Sequence, residues 1–356
     1  MNFYLKECTY LKYYIPLAIR AKNKGMSVNF LISHSKKYNC PGIEENAKVL
    51  NKLFNKYGFD STFVGDDAIT MAKNSVFITL EGRGIEKLSN KEDILVYSLV
   101  SNCDFVSRYE MYVNEADYII FPNKFFAEYY NKLSEKNLYF GSPKYDVELD
   151  EERIYRKFDL NPNEKYALVI APKLRDLNNS FVGNHIGYLK RLGYKVLVKT
   201  RGKDSLLFQE NPSLMGDHYY EDFSWFPHDT MELLKISKLA LNYGSTGIKE
   251  AILMKKPVVY FDVKPQIKDL YKVFWDQRDQ EWATDKRFLS FLYDNSITVK
   301  ARERCNFQEF ESYITTAKKI EDADFDNVID KFLFDKNKVC DLILKHAQEK
   351  IKGLSL

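Results

Sequence analysis

The sequence predicts two doubly wound α/β domains facing a central cleft. Three observations carry that expectation. Short apolar runs alternate with amphipathic segments along the 356 residues, the pattern of parallel strands joined by helices. The pattern runs twice, once on each side of a charged stretch at 147–157. Each half also places glycines directly after an apolar run, where a doubly wound sheet opens its ligand crevice.

In the first half the spacing predicts a helix from Leu11 to Lys22, kinked or started late at Pro16, a strand at 28–32, an amphipathic helix from Glu44 to Tyr57 and a strand at 75–80. Residues 116–121 read as a strand ending at Pro122-Asn123, with a helix over 124–133. Leu138 to Phe140 leads into Gly141-Ser142-Pro143, a turn signal. The charged stretch marks the domain boundary, giving an N-terminal domain 1–147, a C-terminal domain 148–331 and a last segment 332–356 whose helix packs back on the first domain. In the second half, strands at 166–171, 194–199, 240–242 and 258–261 alternate with helices at 184–192, at 229–237 and after Gly244.

Composition narrows the function. Hydrophobic residues make up 45% and charged residues 29%, a globular balance. A net charge of +3 without a concentrated basic face argues against nucleic acid as the main partner, DNA-base glycosylation included. Five cysteines, Cys8, Cys40, Cys103, Cys305 and Cys340, lack paired spacing, which suggests free thiols in a reducing compartment. No secretory signal and no apolar run of membrane-spanning length is read, so a cytoplasmic protein with at most peripheral membrane association is expected. His34, His185, His218 and His346 show no ligand spacing with one another or with cysteine, and no metal or other cofactor is expected.

The most informative segment is Leu239 to Ala251, followed by Pro257 to Phe261: strand, Gly244-Ser245-Thr246-Gly247 turn, helix, strand. A helix whose first turn carries Ser245 and Thr246 offers unpaired backbone N–H groups and a positive dipole end to a phosphate, with Glu250 one to two turns along, within reach of a ribose. An ordinary capped helix would show the same residues. The second segment, Leu80-Glu81-Gly82-Arg83-Gly84, follows a strand; Glu81 is a candidate general base, and the glycines let substrate approach the backbone. A solvated surface turn is the alternative. Third, Lys173 and Arg175 after the first strand of the second half, with Lys199 and Arg201 after the next, form a cation set suited to a departing phosphate. His228, in Trp225-Phe226-Pro227-His228-Asp229, is a candidate contact to base or phosphate, although a histidine beside a proline is more often structural; Asp229 or Thr230 is expected to cap the helix that follows.

In this order the segments resemble the two-domain GT-B transferases, most closely their CDP-glycerol glycerophosphotransferase branch, from about Ser75 to Ala347. Leu80 to Lys87 sits where that branch has a Trp-His-Gly-Thr-Pro-Leu-Lys-like motif. Tyr118 to Asn123, then Phe140-Gly141-Ser142-Pro143-Lys144-Tyr145-Asp146, is similar to its closing elements of the first domain. Ala171 to Arg175 resembles an Ala-Pro-Thr-Phe-Arg motif, and Glu232 through Thr246 resembles its nucleotide turn. The branch's histidine is Glu81 here, and its Lys-x-His-Pro segment reads Lys199-Thr200-Arg201-Gly202. A Glu before Gly is also similar to the acidic-acidic-Gly motif of bacterial sialyltransferases, whose His-Pro pair this chain lacks. Gly244 to Glu250 resembles the Ser-Gly-Gly-Ile-Gln-Glu run of UDP-N-acetylglucosamine 2-epimerases, without their His-Arg-Arg-Glu motif.

The resemblance implies a GT-B fold and metal-independent, inverting transfer of a glycosyl group from a UDP-, CDP- or CMP-linked sugar to a glycan or polyol hydroxyl, in surface or capsular polysaccharide synthesis. Under it Glu81 and Arg175 are catalytic. Lys173, Arg201, Gly244, Ser245, Thr246, Gly247 and Glu250 hold the donor, with Gly82, Arg83, Lys199 and His228 as further contacts. The alternatives are polyol-phosphate transfer, sugar-nucleotide epimerisation, and nucleotide binding without catalysis.

Overall fold

The computed structural model describes residues 1–33, 43–65, 68–100, 115–122, 124, 134–171, 180–200, 210–221, 226, 228–243, 245, 247–261, 297–330 and 338–354. The chain divides into two compact units, one of Met1–Val147 with Phe334–Leu356 and one of Glu148–Leu333.

The first unit holds a seven-stranded sheet: β1 (Asn2–Leu5), β2 (Asn29–Ser33), β3 (Asp60–Val64), β4 (Val76–Leu80), β5 (Leu95–Leu99), β6 (Tyr118–Ile120) and β7 (Asn137–Leu138). Its order is β3-β2-β1-β4-β5-β6-β7, and every pairing is parallel. Winding therefore reverses between β1 and β4. Helix α1 (Leu11–Asn23) runs through Pro16, with no late start there, and α2 is Ile43–Tyr57. Aromatic rings fix both to one sheet face: Phe3 lies 5.4 Å from Tyr14 of α1, and Phe30 stacks 4.5 Å from Phe54 of α2. β1, β3 and β5 carry no periodic signal that the sequence reading detected. β1 is only four residues long, β3 is largely exposed, and β5 is buried throughout.

The second unit holds six parallel strands: β8 (Tyr166–Ile170), β9 (Lys195–Thr200), β10 (His218–Glu221), β11 (Ser237–Asn242), β12 (Val258–Phe261) and β13 (Thr298–Ala301). Their order is β10-β9-β8-β11-β12-β13, with the reversal between β8 and β11. Among the described residues its helices are α3 (Glu151–Phe158), α4 (Ser180–Arg191), α5 (Asp229–Ile236), α6 (Ile248–Leu253), α7 (Phe307–Ala317) and α8 (Asp322–Val328). β10 and β13 were not expected; each is a four-residue edge strand with partly exposed positions. In the core of this unit His185 of α4 stacks on Phe261 at 4.2 Å and meets the Tyr243 hydroxyl at 3.1 Å.

The charged stretch at 147–157, at whose start the two units divide, is mostly α3, which Asp150 caps by accepting from Arg153 N at 3.2 Å. Its basic residues clamp onto α5, with Lys157 paired to Asp229 at 2.7 Å and to Glu232, and Arg153 to Glu232 at 3.4 Å. The basic residues of this stretch thus serve a wholly buried carboxylate, Glu232. The helix expected over 124–133 lies almost wholly outside the described residues.

The last segment forms α9 (Val339–Leu354), which belongs to the first unit and packs on α1 and β5. Cys340 N donates to Asp146 Oδ2 at 2.8 Å, satisfying one of the amides left over at a helix start. His346 bonds the Tyr97 hydroxyl at 2.7 Å and sets its ring edge-on to Tyr118. Among the described residues no helix is long and apolar enough to cross a membrane.

Two outcomes follow for stability. Burial pushes the His185 imidazole down from 6.5 to about 4, so only the unfolded chain takes up that proton between those pH values. Stability from this site is complete above pH 6.5 and falls by about 3 kcal/mol as pH drops towards 4. Denaturant titrations across pH 7 to 4 should show the loss, and His185→Phe should remove that component of the slope. Lys157 is pulled down by desolvation, yet Asp229 and Glu232 outweigh this and hold it above its ordinary value. Lys157→Met strands two buried carboxylates and should cost about 3 kcal/mol, most of it regained in Lys157→Met with Glu232→Gln.

Candidate functional site

In a doubly wound sheet the ligand crevice lies beyond the carboxyl ends of the strands flanking the reversal. Among the described residues, Glu81 follows β4, Lys199 lies at the end of β9 and Ser245 follows β11. In the second unit, β8 runs out into Ala171 and the segment carrying Lys173 and Arg175, and β11 runs out into Tyr243 and the glycine turn.

Asn242, the last residue of β11, is fully buried and shapes that turn. Its amide donates to the Ser245 carbonyl at 3.0 Å and accepts from Ser245 N at 3.0 Å, so one side chain brackets both backbone groups of Ser245. Ser245 Oγ accepts from Gly247 N at 3.3 Å and keeps its own O–H to donate. Gly247 is steric in origin: a β-carbon there would stand 3.2 Å from Ile170 at the end of β8, so the turn lies directly on the strand end across the reversal.

The expectation that Ser245 lies in the first helical turn is corrected. α6 begins at Ile248 with Gly247 as its N-cap, because the Asn242 bracket holds Ser245 outside the helix. Glu250 consequently sits within the first turn of α6, at the position three residues past the cap. It is buried, and His228, the N-cap residue of α5, approaches it with Nδ1 to Oε1 at 3.9 Å. The structure thus joins two residues that the sequence suggested separately. Asp229, expected as a cap, is instead the Lys157 partner. Lys199 is the penultimate residue of β9 and is buried, its carbonyl accepting from Ala171 N at 3.0 Å. Lys173, Arg175, Arg201, Gly244 and Thr246 lie outside the described residues.

In the first unit Glu81 follows β4 directly, beside the reversal between β1 and β4. It is buried, at 4% exposure, and adopts φ 56°, a left-handed conformation that costs a non-glycine residue roughly 1 kcal/mol. The turn is held from all sides: Glu81 N donates to the Leu99 carbonyl at 2.9 Å, Gly82 N to Ser98 Oγ at 2.9 Å, and Thr79 Oγ1 to the Arg83 carbonyl. Gly82 also has positive φ, 67°. Gly84, at φ 82°, touches the Tyr4 ring so closely that a β-carbon would stand 2.6 Å from it. Arg83 is half-buried. Beneath the turn, burial raises the Tyr14 hydroxyl well above its ordinary pKa, Tyr10 adds to this, and Glu81 contributes a smaller push in the same direction. A solvated surface turn does not describe this segment.

Sequence reasoning missed Asn242, Ser98, Thr79 and Tyr14. Only Asn242 left a signal: an asparagine at a strand end before Tyr-Gly is an Asx-type turn former. Among the described residues no group of three His, Cys, Asp or Glu side chains is placed to hold a metal ion.

No family model matches the sequence, and no curated protein matches it. Solved structures do. The wall teichoic acid polymerase TagF is 12% identical, with a TM-score of 0.62 over 99% of this chain and 89% of that one. A Listeria monocytogenes protein assigned as a UDP-N-acetylglucosamine 2-epimerase is 10% identical, with a TM-score of 0.58 over 96% and 94%. MnaA of S. aureus, solved with UDP, is 12% identical, with a TM-score of 0.54 over 99% and 96%. Likeness at this level of identity, running over nearly the whole of each chain, establishes a shared fold: the protein has two parallel-sheet α/β units of the GT-B type.

Proposed function

We propose that this protein transfers a glycosyl group from a nucleotide-activated sugar to a hydroxyl acceptor, without a metal, in the making of a surface or capsular glycan. The observation that carries the reading is the pre-shaped turn after β11. Asn242 brackets it, Ser245 retains a hydroxyl donor, and buried Glu250 stands beside His228 in the first turn of the next helix. Such a turn suits a diphosphate, with Ser245, Thr246 and the backbone of Gly244 and Gly247 on its oxygens and Glu250 on the ribose. That two GT-B-type neighbours were solved with CDPG and with UDP supports a nucleotide-linked donor.

In this mechanism Glu81 removes the acceptor proton as the hydroxyl oxygen attacks the anomeric carbon. The glycosidic bond to phosphate breaks in line, with inversion, and Lys173, Arg175 and Arg201 balance the charge leaving on the nucleotide. Lys199 and His228 are further contacts to the donor. The strained, buried position of Glu81 supports its role, since backbone strain is kept where a side chain must be aimed. Gly82 and Arg83 then border the acceptor. The likeness to TagF keeps a second reading in view, transfer of a polyol phosphate with the same groups on a CDP-linked donor.

A thermal-shift series with UDP, CDP, CMP and GDP should raise the melting temperature with at least one, since ligand at 100 times Kd adds about 2.7 kcal/mol. Asn242→Ala should weaken that nucleotide by roughly 10-fold or more, with Asn242→Asp intermediate because it keeps the acceptor for Ser245 N. No shift with any of the four would overturn the donor assignment. Glu81→Gln should lower turnover by about 100-fold or more with the nucleotide shift unchanged; unaltered turnover removes Glu81 as the base. Product formed from UDP-N-acetylglucosamine with no acceptor present would favour epimerisation instead.

A further inference from the structure

The connection from β3 to β4 contains no helix among its described residues, and it leaves a hollow of about 490 Å³ on the sheet face of the first unit. Its floor crosses three strands. Asn2 of β1 and Asn29 of β2 are register partners, and Leu31 of β2 pairs with Thr62 of β3, so alternation puts all four side chains on one face. Asparagine is disfavoured in strands, and two of them side by side, one on a central strand, need a reason beyond sheet formation.

Their polar groups form a ladder at the outer limit of bonding. Thr62 Oγ1 reaches Asn29 Oδ1 at 3.3 Å, Asn29 Nδ2 reaches Asn2 Oδ1 at 3.4 Å, and Asn2 Nδ2 reaches the Val76 carbonyl at 3.5 Å. Bonds this long leave most of the donor and acceptor capacity of the row for another partner. Beyond the floor the lining is mainly apolar, with Val64, Ile69 and Met71, and Thr70 adds a hydroxyl. These walls are also fixed in advance. Asn90 holds both backbone groups of Met71, at 3.0 and 2.8 Å, Ile69 and Ser89 exchange backbone bonds with the 87–89 segment and with Ile69 respectively, and Lys87 Nζ donates to the Gly65 carbonyl at 2.8 Å. The described residues lining the hollow carry no ionised side chain.

We infer that this hollow is a binding site for a neutral pyranose unit of a glycan. Two amides and a hydroxyl in a row match vicinal sugar hydroxyls, each of which donates and accepts. The apolar walls match the C–H faces of the ring, and the volume is within the range of small-ligand pockets. The floor begins at Asn2, whose register partner on β4 is Phe77, about 13 Å of strand before Glu81. Its other end reaches Val64 on the edge strand β3, three strands across the sheet from β4 and Glu81, and the inference stands whether or not the donor turn acts as proposed.

The test is saturation-transfer NMR on the full chain, without nucleotide, with maltotriose, chitotriose, lactose and glycerol 3-phosphate. At least one neutral oligosaccharide should bind, glycerol 3-phosphate should not compete, and excess UDP should leave the signal in place. Asn29→Leu and Thr62→Val should each weaken binding at least 10-fold. Thr62 is exposed on an edge strand, so Thr62→Val reads the site even if Asn29→Leu fails to fold. Absence of binding by all three oligosaccharides, displacement by UDP or by glycerol 3-phosphate, or unchanged binding in Thr62→Val would overturn the inference. A loss of nucleotide shifts alone would count against the donor reading and leave this one intact.

Discussion

The interaction on which the candidate site depends is the two-way bond between the Asn242 amide and the backbone of Ser245. An amide buried at the end of a central strand carries a desolvation cost unless both its ends are satisfied. Here the two groups it needs belong to the turn that follows. The strand end and the turn therefore stabilise each other, and the backbone after β11 is shaped by the protein before any ligand arrives. A preorganised anion site needs that property, because a loop that must first be ordered gives up part of its binding energy in doing so.

The two buried glutamates differ in how they are held. Glu250 is carried on a helix whose start is defined by Gly247, with His228 approaching from the neighbouring helix cap. Glu81 is carried on a turn that opposes its own backbone preference and is kept there by bonds to Leu99, Ser98 and Arg83. A helix position fits a residue that holds something in place. A strained turn fits one that must be aimed. The assigned roles, ribose contact and base, follow that difference in support.

Much of the fold was legible because buried parallel strands leave continuous apolar runs, as in Tyr166 to Ile170 and Val258 to Phe261. Edge strands such as β3 and β10 escaped because their exposed positions break the alternation that reveals a strand. Of the candidate site, what could be read was local: the buried turn of Glu81 with its glycines, and the Asn242-bracketed position of Ser245 as part of a turn after a strand. The site was illegible where partners come from elsewhere in the chain, as with Ser98 supporting Gly82 or α3 supplying cations to α5. Spacing alone also misplaced the start of α6, since propensity carries no knowledge that Asn242 will compete for Ser245.

Asp146, from the Gly-Ser-Pro-Lys-Tyr-Asp run, caps a helix that begins at Val339, across the whole second unit in sequence. The first unit is thus discontinuous, with the second inserted into it. During translation the ribosome releases the second unit's residues before the stretch that finishes the first, so the earlier sheet waits with α1 and β5 uncovered until α9 has followed the inserted unit. The order of emergence makes the inserted unit the first able to reach its final state, and leaves the amino-terminal one the longer exposure to chaperones and proteases.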